Sequence, residues 1–61
     1  MPIVRVELFK GRSPEQKATL AKEITDAVTR VMGVKPESTH VIFADVEKSD
    51  WAHAGTTADK K

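Results

Sequence analysis

The sequence predicts an α+β fold: one strand–helix–strand unit with parallel strands, followed by a short C-terminal hairpin. Two apolar segments with strand alternation, residues 2–9 and 39–46, flank a long helical stripe over Pro14–Met32, and the joins between them are short. Two strands joined through a helix run parallel, with a right-handed crossover. With 61 residues, the chain is expected to form a single domain over residues 1–61.

The first strand divides cleanly by face. Val4, Val6 and Leu8 alternate onto one side, which should meet the helix; Ile3, Arg5, Glu7 and Phe9 take the other. Lys10, Gly11, Arg12 and Ser13 turn the chain out of the strand. Ser13 is placed as helix N-cap, with Pro14 at the first helical position and Gln16 three residues on, completing a capping box. Leu20, Ala21, Ile24, Ala27, Val28 and Val31 form the apolar stripe, and Lys17, Lys22, Glu23, Asp26 and Arg30 are assigned to the wet face. Gly33 suits a left-handed C-terminal position and Pro36 blocks continuation.

Residues 34–38 read as a loop. In the second strand His40, Ile42, Ala44 and Val46 share one face, and Thr39, Val41, Phe43 and Asp45 the other. Apolar residues on both faces mark a strand covered on both sides. One helix can cover only one, so the other face needs a partner chain. Residues 47–50 are turn-like, Trp51 follows, residues 52–57 around Gly55 suggest a short hairpin, and residues 58–61 should fray.

So small a chain buries only about 60% of its unfolded surface and usually needs a staple. With no cysteine, disulfides and thiolate metal sites are out, and the two histidines lack ligand spacing, so no metal is expected. Self-association is the remaining remedy. A net charge of +1, with acids and bases interleaved, gives no basic stripe for nucleic acid. No apolar run approaches the ~20 residues of a membrane span, and no signal-peptide pattern opens the chain, so a cytoplasmic location is expected.

Pro2 is the residue of greatest chemical interest. Inside a chain a proline nitrogen is an imide; if Met1 is removed, Pro2 carries a free secondary amine at the mouth of a strand. A small second residue generally permits that removal. The plain alternative is a rigid strand-starter. Because parallel strands begin at one edge, Pro2 and His40 should lie together, with Arg12 beyond the far end of the first strand, ~30 Å away at ~3.3 Å per residue. If Arg12 and Pro2 cooperate, they come from different subunits.

Pro2, the segment Gly11-Arg12-Ser13 with Glu15-Gln16-Lys17, and the strand–helix–strand plan together resemble the 4-oxalocrotonate tautomerase family, over nearly the whole chain. The resemblance implies a tautomerase/MIF-like fold in which two chains form a four-stranded sheet with two helices on one face. It further implies a homohexamer built as a trimer of dimers, and a cofactor-independent keto–enol tautomerase of the kind met in aromatic degradation. The family's catalytic proline falls on Pro2, and its carboxylate-binding arginine on Arg12. A second arginine falls on His40, where the sequence departs from the pattern, and the pocket phenylalanine falls on Trp51.

The chemistry agrees with these positions. A tautomerase base must be unprotonated near neutral pH and then return the proton. An α-amine titrates near ~8; an apolar pocket, with Ile3 and Trp51 as candidate walls, and a nearby Arg12 would both disfavour the cation. Arg12 offers a planar fork for a carboxylate, against the alternative of a surface arginine. At His40 an imidazole carries charge only part of the time near neutral pH. The expected substrate is therefore a monocarboxylate 2-keto acid enol such as phenylenolpyruvate, gripped in preference to the diacid 2-hydroxymuconate. His40 could equally be a bystander, and Trp51 could pack an interface. Two other functions stay open: hydration or dehalogenation of a substituted acrylate with Asp50 activating water, and a catalytically weak oligomeric binding protein.

Overall fold

The computed structural model describes residues 1–60. Strand β1 (Ile3–Phe9) leads into helix α1 (Pro14–Met32), which returns the chain to β2 (His40–Val46). The strands pair in parallel, from Ile3 opposite His40 to Phe9 opposite Val46. Each strand begins one residue later than its apolar pattern suggests. The 3₁₀ turns Pro36–Ser38 and Lys48–Asp50 occupy the connections on either side of β2.

Local chemistry sets the helix ends. The Ser13 hydroxyl accepts from the Gln16 N–H at 3.1 Å, and the Gln16 side-chain oxygen accepts from the Ser13 N–H at 3.1 Å. The capping box thus satisfies two N–H groups that the first turn leaves free. Gly33 ends the helix at φ 71°, donating its N–H to the Thr29 carbonyl at 3.0 Å. Between these caps the helix runs for 19 residues.

One assignment of the helix faces is corrected. Lys17, read as a wet-face residue, is turned towards the sheet: its side chain is only 26% exposed and its ammonium lies 2.8 Å from Asp45 on β2. The spacing Lys17, Ala21, Ile24, Val28 follows the sheet-facing line, and all four are half-buried. Lys22 and Asp26 do form the expected exposed pair, at 2.8 Å.

The C-terminal segment forms a hairpin, β3 (Ala52–His53) against β4 (Thr56–Thr57). Ala54 and Gly55 at its tip both have positive φ, 54° and 81°, as a two-residue type I′ connection requires. The expected fraying is not seen before the end of the described residues. Ala58–Lys60 is a 3₁₀ turn, and the Ala58 N–H donates to the Trp51 carbonyl at 2.8 Å. Lys61 lies outside the described residues.

Among the described residues none is fully buried. Val4, Val6 and Leu8 are half-covered by the helix, whereas Ile3 is 61% exposed and Ile42 43% on the opposite face. Leu20 (43%) and Val31 (75%) of the helical stripe also remain open. The radius of gyration is 14.5 Å, against about 10 Å expected for a compact domain of this length. The protomer is a slab of 43 × 24 × 14 Å, one helix laid on two strands with both outer edges unpaired. Covering an exposed isoleucine fully is worth roughly 1.5–3 kcal/mol, so this surface strongly favours self-association.

Candidate active site

The sheet register distributes the candidate residues between two ends. Pro2 and His40 share the first: the Pro2 carbonyl accepts the His40 N–H at 3.0 Å, as the parallel pairing predicts. Pro2 is half-buried and follows an exposed Met1. His40 is exposed, and its register partner is Ile3. That places the imidazole on the sheet face away from the helix. Arg5 and Glu7 lie farther along this face and pair with each other at 3.5 Å.

Arg12 and Trp51 belong to the second end. The Trp51 ring lies 4.5 Å from that of Phe9, tilted by 52°, at the close of β1. Such a tilted pair adds about 0.5–1.5 kcal/mol beyond its burial. Lys48 stands over the Phe9 ring at 5.9 Å. Trp51 therefore cannot wall the Pro2 of its own chain: the six steps from Ile3 to Phe9 span roughly 20 Å.

Arg12 sits closer to the sheet than a straight run of chain implies. Gly11, at φ 126°, reverses the backbone, and Arg12 folds back over the helix side of the sheet. There it lines a groove of about 290 Å³ with Val6, Leu8, Gln16, Lys17, Leu20 and Phe43. Beyond Phe9 the chain turns, so only β1 itself is extended. Arg12 makes no ion pair among the described residues, and it stands at the positive end of a helix dipole. Its guanidinium is therefore free for an anion. A larger hollow, about 660 Å³, lies on the solvent side of α1 between Lys22, Glu23, Asp26 and Arg30 and contains none of the candidate residues.

The walls of the Arg12 groove were not singled out from sequence. Val6, Leu8, Leu20 and Phe43 read there only as core. Lys17 was hidden by its misassigned face, although its four-residue interval from Ala21 was visible. Among the described residues no group of acidic and histidine side chains is placed to hold a metal ion, and no helix is long and apolar enough to cross a membrane.

The family model for the tautomerase enzymes matches residues 2–61. The chain belongs to the tautomerase family. A probable tautomerase of Ralstonia nicotianae is 46% identical over 55 residues, covering 90% of this chain and 85% of that protein. A probable tautomerase of Lactococcus lactis is 44% identical over the full length of both. Among solved structures, a 4-oxalocrotonate tautomerase homologue superposes with a TM-score of 0.91 at 33% identity, over 100% of this chain and 97% of the other. A 4-oxalocrotonate tautomerase isozyme structure from Methylibium petroleiphilum gives 0.92 at 32% identity, over 97% and 92%. The fold of this tautomerase is thus the family's own, and its activity class is isomerisation of the tautomerase type.

Proposed function

We propose that this tautomerase interconverts enol and keto forms of a 2-keto acid without a cofactor, using the amino-terminal nitrogen of Pro2 as base and then acid. Removal of Met1 exposes that nitrogen. Arg12 holds the substrate carboxylate, Trp51 forms an aromatic wall, and His40 donates one hydrogen bond to the reacting oxygen. The preferred substrate is a monocarboxylate enol of the phenylenolpyruvate type.

The observation that carries this reading is the division of the candidate residues between opposite ends of a sheet with a free β1 edge. Antiparallel pairing of β1 with a second copy brings Pro2 of one chain beside the Phe9 end of the other. That end carries Arg12 and Trp51. The dimer then has a four-stranded sheet with both helices on one face. The opposite face, with Ile3, Phe9 and Ile42 exposed, packs three dimers into a hexamer and carries His40 towards a site on a neighbouring dimer.

Proton transfer follows from the arrangement. The Pro2 nitrogen takes the enol hydroxyl proton through its lone pair, the C–C double bond shifts, and the ammonium delivers the proton to carbon. Arg12 keeps the carboxylate in line. The test is enol decay measured across pH on protein whose N-terminus has been confirmed by intact mass. General acid–base catalysis contributes typically ~10²–10⁴-fold, so Pro2→Ala should lower kcat/KM by about that range while assembly is retained. Full activity in that variant, or in protein that keeps Met1, would overturn the reading.

A further inference from the structure

The free edge of β1 carries a charge pattern that complements itself. β2 pairs with one edge of β1, and among the described residues nothing pairs with the other. At the two ends of the sheet the Pro2 carbonyl and the Lys10 N–H both turn towards β2, each bonded at 3.0 Å. With a strand period of two, the amides and carbonyls of the even-numbered residues face β2, and those of Ile3, Arg5, Glu7 and Phe9 face the open edge. An antiparallel strand laid there therefore pairs odd residues with odd residues. Arg5 and Glu7 stand on the sheet face away from the helix, beside Ile3, Phe9 and Ile42, and both are more than half exposed. Within one chain they meet loosely. The Arg5 Nε lies 3.5 Å from a Glu7 carboxylate oxygen, beyond the ~2.7–2.9 Å of a charge-assisted hydrogen bond.

We propose that Arg5 and Glu7 fix how two copies of this chain join: in the antiparallel β1 dimer, Arg5 of each copy stands directly opposite Glu7 of the other. This deepens the tautomerase reading above and rests on the β1 dimer within it. Pairing the seven residues of β1 end to end puts Ile3 opposite Phe9 of the second copy, Arg5 opposite Glu7, and Val6 opposite Val6. The opposed α-carbons of Arg5 and Glu7 then lie about 5.5 Å apart, with both side chains on one face. The two-fold axis makes two such attractive pairs. Sliding one strand by two residues sets Arg5 against Arg5 in one direction and Glu7 against Glu7 in the other. A slide of one residue sets odd residues against even ones and turns the two helices to opposite faces. Covering this face also demands matched charge, since an unpaired charge is costly away from water, and the four groups sum to zero. The register matters to the site, because a two-residue slide moves Pro2 by ~7 Å, at ~3.4 Å per residue, relative to the second copy's Phe9 and Trp51.

The experiment follows assembly by native mass spectrometry, in proteins refolded separately and in mixtures. Arg5→Glu alone opposes carboxylates and Glu7→Arg alone opposes guanidiniums, and reversing both pairs should weaken either dimer about thirtyfold. Refolded together, these two variants should form assemblies holding equal numbers of each chain, in excess over the random share, because every opposed pair is then attractive. The pair within each chain stays like-charged in that mixture, so the rescue reads contacts between chains alone. The double variant, Arg5→Glu with Glu7→Arg, should assemble as the unsubstituted chain does, yet sort away from it when the two are mixed. Equal-number assemblies at or below the random share, or free mixing of the double variant with the unsubstituted chain, overturn the assignment. Register is read separately, and it stays readable if the charge variants do not fold. The chain has no cysteine, so Arg5→Cys refolded with Glu7→Cys under oxidising conditions should give a disulfide between unlike chains, the opposed α-carbons lying within the ~4.4–6.8 Å such a bond spans. A disulfide joining two Arg5→Cys chains in preference, as the slid register requires, overturns the assignment, as does the lack of any bridge between unlike chains. Enol turnover by the unsubstituted protein tests the tautomerase reading by itself. Sorting without turnover sinks that reading and leaves the register standing; turnover without sorting sinks only the register.

Discussion

The guanidinium of Arg12 shows how much depends on one residue's geometry. Its charge alone does not define it, because Lys17 brings a charge to the same groove. What differs is the planar fork and the lack of a carboxylate partner. Arg12→Lys should therefore behave as a damaging change, raising KM for the enol acid about tenfold, since a single ammonium forfeits one of two charge-assisted hydrogen bonds. Ala54 is the other informative single position. It holds φ 54° with no glycine freedom, in a conformation that costs an L-residue about 1–2 kcal/mol. Ala54→Gly relieves this strain but gains unfolded-state entropy. A net stabilisation of about 0.5–1 kcal/mol is expected, read as a higher melting temperature at fixed protein concentration.

At the scale of elements, α1 both builds the sheet's cover and aims the Arg12 turn. Its capping box joins the residue after Arg12 to the first helical turn. Ser13→Ala should cost about 1 kcal/mol, and it should raise KM more than it lowers kcat because the loosened turn carries Arg12 and not the base. The surface pairs have a defined pH window. Hydrogen bonding to Glu47, then its charge, raises the Lys10 ammonium above its ordinary 10.5, and Asp26 does the same for Lys22. A raised folded-state value means that these pairs contribute fully below 10.5 and release as pH climbs through the folded values. Helix content should thus be insensitive to pH around neutrality, and circular dichroism should register loss of the Lys22–Asp26 pair of α1 only above 10.5. Both pairs are exposed, so the change should be small.

The whole molecule is decided by what the protomer leaves uncovered. With no fully buried residue among those described and a flat 14 Å slab, a single copy lacks the core that would offset its chain entropy. Ile42→Lys places a charge on the exposed sheet face beside Arg5, its register partner. It should dissociate the assembly, observable by sedimentation, and abolish activity with it, since the candidate groups lie at opposite ends of each chain. An assembled Ile42→Lys protein with full activity would show that this face is not a contact between copies.

The sequence by itself determined the local structure. Alternation on β1 and β2, the cap at Ser13 and the stop at Gly33 are short-range effects, written in spacing and residue type. Short joins then made the parallel pairing unavoidable, which already put Pro2 beside His40. The motif around Pro2 and Arg12 made the family legible too. Only the tertiary structure decided which way Lys17 faces, how far Gly11 carries Arg12 back over the sheet, and which apolar residues wall the groove. Those depend on the turn angle and on the rotation of α1 above the strands. A charged residue at the margin of a helical stripe can satisfy the pattern on either side, and the choice is made by the carboxylate that folding brings opposite it.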